Sequence, residues 1–357
     1  MKSIFLILTC SFISINIKAQ TPPNKILYQK LNEYFEKTPN FSGNVLVAVN
    51  GKPIFRKCYG YADVELNVSN KPETKFRIGS VTKQFTAMAI MILQEQGKLN
   101  VTKKISDYLY DLPENWQEIT IHQLLTHTSG LMHSWDLEGF DKTMMLYNSF
   151  DETINRFKDQ PLAGKPGEKF HYSGVGYFLL SALIQKVSGK PYELFMKEEI
   201  FNKTGMENTG VDEPQKIINN RASGYVTDSS GIHNSTYIYM PILSGGGNLY
   251  STMDDLLKWD QSLYKNILIS EETKKKMLTP ELDNYAYGWR VLKTDSLYET
   301  KHTGSVPGFS TLIDRYPDKG ILIVVLSNNV REHNPETGRE FSTLVLKELA
   351  EIGYNKK

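Results

Sequence analysis

Apolar and polar positions alternate along the chain in three distinct textures. Residues 24 to 37 place Ile26, Leu27, Leu31, Tyr34 and Phe35 at helical spacing, which predicts an amphipathic helix. The stretch GNVLVAVNGKPIFRKCYGYAD, Gly43 to Asp63, holds two apolar runs on either side of Asn50, Gly51 and Lys52, the pattern of a β-hairpin. A helix then follows from 79 to 96, apolar all round (Phe85, Ala87, Met88, Ala89, Ile90, Met91, Ile92, Leu93) and ended by Gly97.

From about 100 to 240 the texture changes. Helical segments such as 177 to 188, closed by Ser-Gly-Lys-Pro, alternate with Gly, Pro and Asn loops, and strand patterns are scarce. SGGGNLYSTMDDLLKWDQSL starts another helix, with Thr252 as its cap and Asp255 three residues on. The chain ends in YAYGWRVL, YETKHTG, FSTLIDRYP and GILIVVLSNN, four strand patterns with Asp318, Lys319 and Gly320 as the last turn, and a helix from about 336 to 351. The predicted class is α+β, an antiparallel sheet flanked by helices plus a mostly helical second domain. Residues 20–99 and 241–357 share the sheet, and 100–240 form the helical part.

Composition narrows the partners. A formal net charge of +1 over 357 residues, with both signs interspersed, leaves no electrostatic footprint for nucleic acid or an anionic membrane, so a small-molecule or peptide partner is expected. The N-terminus MKSIFLILTCSFISINIKAQ has an early lysine, an interrupted apolar run and Ala19 before Gln20, the anatomy of a signal peptide over residues 1–19. Export to the periplasm or medium is the expectation, with no membrane-spanning segment in the mature chain. Cys10 lies inside the apolar run behind Thr9, which disfavours lipid attachment there. Cleavage would leave one cysteine, Cys58, and no internal disulfide; in its strand-like setting it reads as a small buried hydrophobe rather than a nucleophile.

The chemistry starts from an anomaly. Lys83 falls in the first turn of an apolar helix, where the macrodipole disfavours a cation and apolar neighbours desolvate it. Ser80, three residues earlier, shares its face, so a lysine of depressed pKa could take the serine's proton. On its own Ser-x-x-Lys is a weak pattern: it recurs at Ser262 and Lys265, and Ser80 could be a plain N-cap. A second stretch, PGEKFHYSGVGYFLLSALI, sets Pro166, Gly167, Gly174 and Gly176 as turns around Tyr172. Near a cationic lysine that phenol would have a lowered pKa and could act as general acid or base. In KHTGSVPGFSTLI, His302, Thr303 and Gly304 end a strand, and the Ser305 N–H could serve with that of Ser80 as an oxyanion donor. His127, in LLTHTSGL, reads as a structural hydrogen-bonding residue.

Ser80-Val81-Thr82-Lys83, Tyr172-Ser173-Gly174 and His302-Thr303-Gly304, in that order, resemble the three motifs of the serine β-lactamase and penicillin-binding-protein-like family, in particular its class C, D-peptide hydrolase and esterase branch. HQLLTHTSGL (122–131), GGGNLYSTMDDLLKW (245–259), YGW (287–289) and GSVPGFSTLIDRYP (304–317) extend the resemblance over nearly all of the mature chain. It implies Ser80 as acylated nucleophile, Lys83 as proton acceptor, Tyr172 as partner acid/base, and His302, Thr303, Gly304 and Ser305 as the substrate and oxyanion edge, with no metal or other cofactor. Two departures stand out. Gly174 replaces the usual Asn, removing an amide that would contact the lysine and a substrate carbonyl. His302 replaces a frequent lysine and would be a cation only below about pH 6.5 unless its pKa is raised. Both favour an esterase or D-peptidase over an efficient β-lactamase. The expected function is an exported serine hydrolase acting on an ester, D-amino-acid peptide or β-lactam-like amide. The alternative is a penicillin-binding or sensor-type protein with little turnover. The oligomeric state is not legible.

Overall fold

The computed structural model describes residues 25–331 and 337–354. The leader reading over 1–19, and Cys10 with it, lies outside them. Six strands form one antiparallel sheet in the spatial order Arg290–Lys293, Tyr298–Val306, Phe309–Tyr316, Ile321–Ser327, Gly43–Val49, Lys52–Tyr59. The two ends of the chain meet where Gly43–Val49 pairs with Ile321–Ser327, from Gly43 opposite Ser327 to Val49 opposite Ile321. The expected hairpin is present, and Asn50 and Gly51 both take positive φ, as a two-residue turn between twisted strands requires.

These central strands read as unbroken apolar runs because both faces of the sheet are covered. Period two sends Val45 and Val47 toward one face, where they join Leu27, Leu31, Phe35, Ile323, Phe341 and Val345 beneath the helices Lys25–Lys37 and Thr337–Glu351. Leu46 and Ala48 point to the other face and join the larger core with Leu322, Val324 and Phe85. Ile26 departs from its expected place and is exposed; Leu27 carries the buried stripe instead.

The central helix is Thr82–Glu95, entered through a 3-10 turn, Gly79–Val81. Every residue from Thr82 to Leu93 is buried, which explains its unpatterned apolarity. Its polar first turn is used for anchoring. Thr86 Oγ1 donates to the Gly245 carbonyl (2.7 Å) and Thr82 Oγ1 accepts the Leu249 N–H (3.2 Å), which pins the glycine-rich segment to the helix start. Upstream, Arg77 is held by Asp212 (2.7 Å), itself bound to Arg221 (2.7 Å).

Between 100 and 240 the main helices are Ile121–Leu125, Phe150–Phe157, Gly174–Ser188 and Tyr192–Met196. Three short strands also occur there, Gly210–Val211, Tyr225–Asp228 and Gly231–Asn234, too short for their alternation to register in the sequence. Gly174 and Gly176 were expected in loop turns but lie in the first turn of Gly174–Ser188, because the Ser173 hydroxyl caps the Gly176 N–H (3.2 Å). YAYGWRVL is a strand only from Arg290, since Gly288 at φ +75° bends the chain ahead of it. Thr252 caps the helix Met253–Leu263 through the Asp255 N–H as expected.

Candidate active site

Ser80 is presented on the 3-10 turn ahead of the central helix. Gly79 adopts φ +50°, and a Cβ there would stand 2.7 Å from the Ser305 nitrogen. Across the gap, a Cβ on Gly304 would be 2.0 Å from the Ile78 carbonyl oxygen and 3.1 Å from the Ser80 nitrogen. The turn and the strand Tyr298–Val306 therefore touch through bare backbone, which brings the backbone nitrogens of Ser80 and Ser305 close to one another. The strand's period two directs His302, Gly304 and Val306 inward and leaves Thr303 and Ser305 exposed. Arg290–Lys293 pairs only with 298–301, so residues 302–306 form an open sheet edge along the cleft.

Lys83 Nζ lies 3.2 Å from Ser80 Oγ and donates to the Gly246 carbonyl at 2.8 Å. Its ammonium also faces the rings of Tyr172 (4.8 Å to the centroid) and Tyr177 (5.4 Å). Among the described residues no carboxylate pairs with it, and burial alone pulls its pKa down from 10.5 to about 7. At neutral pH a large fraction of Lys83 is thus free amine beside the serine hydroxyl, as a general base requires. The second Ser-x-x-Lys is ordinary: Ser262 Oγ donates to the Trp259 carbonyl and Lys265 is exposed. Cys58 is half-buried and burial pushes its thiol up to about 11, so it is not a reactive nucleophile.

One expectation about charge is corrected. The Tyr172 phenol is not lowered by a lysine cation; burial pushes its pKa far up, opposed only weakly by the Ser80 hydroxyl and Arg290. Tyr172 is therefore a neutral phenol that can donate a proton or a hydrogen bond. His302 is uncharged at neutral pH, as its ordinary pKa already implies, and its setting carries this further. It is buried, and burial together with Lys83 lowers its pKa to about 3. Its Nδ1–H donates to the Thr303 carbonyl (2.6 Å), and Nε2 accepts the Tyr285 hydroxyl (2.9 Å).

Histidines also hold the Tyr172 loop. His127 Nδ1 accepts the Ser173 N–H (3.1 Å), His133 Nδ1 accepts the Gly174 N–H (3.3 Å), and the His127 carbonyl accepts the His171 N–H (2.7 Å). The His127 ring stacks 4.2 Å from Tyr172 and 4.6 Å from Tyr285. It is thus the structural hydrogen-bonding residue expected. Sequence reasoning missed His133, Tyr285, Arg290 and the Gly246 carbonyl. Tyr285 and Arg290 flank YGW, and Gly246 belongs to the glycine run, so motif neighbourhood was the available signal.

Ser80, Lys83, Tyr172, His302, Thr303 and Ser305 all line one cleft of ≈ 740 Å³. Trp135, Ile242, Leu243, Val226 and Val306 make apolar walls, and Arg290 is the cationic side chain at its rim. Arg290 is half-exposed and tied to Asp283 (2.9 Å).

The buried neutral histidines set a stability prediction. His302 holds a folded pKa of about 3 and His133 of about 4, against 6.5 for the ordinary imidazole. As pH falls below 6.5 the unfolded chain takes up protons that the folded one refuses, so this contribution to stability is full above 6.5 and shrinks toward pH 3. The denaturation midpoint should drop between pH 7 and 4.5, and His302→Asn should lessen that drop by an amount on the order of 1–3 kcal/mol. An unchanged pH slope in the variant contradicts the neutral His302.

The fold is that of the serine β-lactamase and penicillin-binding-protein-like family. The beta-lactamase family model matches residues 31–346, and the chain belongs to that family. It is 31% identical to penicillin-binding protein 4* of Bacillus subtilis over 355 residues, covering 92% of this chain and 76% of the relative. It is 32% identical to the putative penicillin-binding protein PbpX of the same organism, over 87% of this chain and 76% of that one. Among solved structures, a penicillin-binding protein from Bacillus halodurans superposes with a TM-score of 0.79 at 26% identity, covering 92% of this chain and 99% of that one. A D-amino acid amidase from Ochrobactrum anthropi shares the fold at 21% identity, with a TM-score of 0.78 over 91% of this chain and 97% of that one.

Proposed function

We propose that this protein is a serine hydrolase that forms an acyl-enzyme on Ser80 and acts on an ester or a D-amino-acid peptide or amide. The observation that carries this reading is the 3.2 Å contact between Ser80 Oγ and a buried Lys83 whose pKa is about 7, beside the closely placed backbone nitrogens of Ser80 and Ser305. In the proposed reaction Ser80 Oγ bonds to the substrate carbonyl carbon as its proton passes to the Lys83 amine. The oxyanion that forms is bound by the N–H groups of Ser80 and Ser305. Collapse breaks the bond to the leaving group, which takes a proton from the Tyr172 hydroxyl, and the Lys83 proton replaces it. Water then releases the acyl group by the reverse route.

A neutral His302 removes one cation that could grip a substrate carboxylate, which supports esters and amides over β-lactams as good substrates. The amidase fold neighbour is in keeping with an amide substrate, while the relatives named for binding penicillin support acylation by a β-lactam as well. The signal-peptide reading adds an exported location. A second reading, slow turnover in a penicillin-binding or sensor-type protein, is favoured by Gly174 standing where an amide is usual.

Intact-mass spectrometry of wild type and Ser80→Ala after exposure to a fluorophosphonate, a p-nitrophenyl ester and a penicillin tests the proposal. An adduct on wild type alone is expected, short-lived for the ester. A long-lived ester adduct selects the sensor reading, and equal labelling of both proteins overturns the role of Ser80.

A further inference from the structure

A second cavity, of ≈ 820 Å³, lies between the terminal helix Thr337–Glu351 and the outer face of the strands Tyr298–Val306 and Phe309–Tyr316. Period two sets Glu299 and Lys301 of the first strand on this face, with Leu312, Asp314 and Tyr316 of the second. Two carboxylates are thereby buried together. Glu299 is 7% exposed and Asp314 2%, and the Tyr316 hydroxyl stands 3.1 Å from Glu299 Oε1 and 3.0 Å from Asp314 Oδ2, although its one proton can serve only one of them at a time. Lys301 neutralises Glu299 (2.9 Å). Asp314 has no such partner: its Oδ1 is buried without a hydrogen bond among the described residues, and so is Ser342 Oγ on the facing helix. Burial and the neighbouring Glu299 push its carboxyl up to about 7, with Ser342, Lys301 and Tyr316 acting the other way. Of the other cations that line the cavity, Arg290 is committed to Asp283 and Arg339, exposed on the helix, is paired with neither carboxylate.

Two buried carboxylates and one paired lysine leave an excess negative charge, and an open carboxylate oxygen facing a cavity is where a cation would be held. The walls describe the rest of the ligand. Leu292, Leu297, Leu312, Val325 and Leu346 line the same space, so an apolar body would be covered there. A divalent metal ion fits poorly, because the oxygen ligands it needs would have to come from these apolar walls. An ammonium group has compact N–H donors that suit Asp314 Oδ1 and Ser342 Oγ together. We propose that this cavity is a second binding site, for an organic ammonium carried on an apolar body, with its head against Asp314 and Ser342 and its body along the leucines. The site is distinct from the place where Ser80 acts: Asp314 pairs with Lys301, four residues along the strand from Ser305, or about 13 Å. Arg290, Thr303, Ser305 and Val330 line both cavities, so the two adjoin across the open strand edge. The assignment does not depend on the hydrolase reading.

Calorimetric titration of the intact protein with n-hexylammonium, n-hexanol and n-hexanoate tests it. The ammonium should bind with a dissociation constant lower than that of either other probe by about ten-fold or more, the worth of one charge-assisted hydrogen bond. Asp314→Asn keeps the shape of the side chain and removes its charge. It should weaken hexylammonium binding by about ten-fold or more and change hexanol binding by less than about three-fold. Ser342→Lys gives an independent reading, because a lysine tethered beside Asp314 supplies the ammonium from within: added hexylammonium should no longer bind, and the unfolding temperature should rise. Thermal unfolding reports whether D314N is folded, and if it is not, S342K carries the test. Equal affinity for the three probes overturns the site, as does undiminished hexylammonium binding in folded D314N or in S342K. So does an absence of binding to wild type at the highest probe concentration that leaves the protein folded.

Discussion

Lys83→Met should abolish acylation while leaving the folded protein as stable as wild type or more so. General-base catalysis contributes about 10²–10⁴-fold, and nothing else in the cleft is placed to replace it: Tyr172 is held neutral by burial and His302 by its two hydrogen bonds. The stability sign follows from the depressed pKa. Between about 7 and 10.5 the unfolded chain holds a proton on this amine that the folded chain gives up. The lysine's contribution is therefore most favourable above pH 10.5, declines as pH falls toward 7, and stays unfavourable below. At neutral pH the desolvated lysine costs the fold an amount on the order of a few kcal/mol, which an apolar side chain of similar length does not incur. The loss of the hydrogen bond to the Gly246 carbonyl partly offsets the gain. Fluorophosphonate labelling rates and thermal unfolding of the two proteins at pH 7 check both halves. The wild-type labelling rate should rise with pH about a midpoint near 7, the pKa of Lys83. A K83M protein that unfolds at clearly lower temperature would mean that the lysine is structural.

Gly304→Ala should be nearly as damaging, and by a different route. One added methyl would sit 2.0 Å from the Ile78 carbonyl oxygen and 3.1 Å from the Ser80 nitrogen, both backbone atoms that no rotamer change can move. The strand and the Ser80 turn must separate, and with them the N–H groups of Ser80 and Ser305. Loss of one oxyanion donor costs about 10²–10³-fold in kcat, and displacement of two should reach at least that. A drop in stability of roughly 1–3 kcal/mol should accompany it, as for overpacking elsewhere in cores. Thr303→Ala serves as the control for stability alone, since its side chain is exposed. Ester turnover within a few-fold of wild type in G304A would show that the two N–H groups do not act together.

Much of this architecture is legible one segment at a time. The hairpin turn at Asn50 and Gly51 follows from positive φ, and the helix from Thr82 follows from unbroken apolarity. Ser80 and Lys83 stand out because a lysine opposes both the helix dipole and its apolar surroundings, a local conflict that needs no knowledge of distant contacts. The strands at 298–306, 309–316 and 321–327 are likewise written in local pattern and turn residues. Even the closure of the sheet by the two chain ends follows from the order of these elements.

What the sequence could not supply is the charge state and the filling of the cleft, because both depend on which residues from distant segments are packed together. Tyr172 carries opposite expectations in isolation and in place, since burial against His127 and Tyr285, both distant in sequence, decides its protonation. The N–H of Gly174 is likewise taken by an imidazole forty-one residues away along the chain. Local propensity and periodicity act over a few residues and therefore determine the elements and the juxtaposition of Ser80 and Lys83. Desolvation and steric complementarity act through space, and only the tertiary structure sets them.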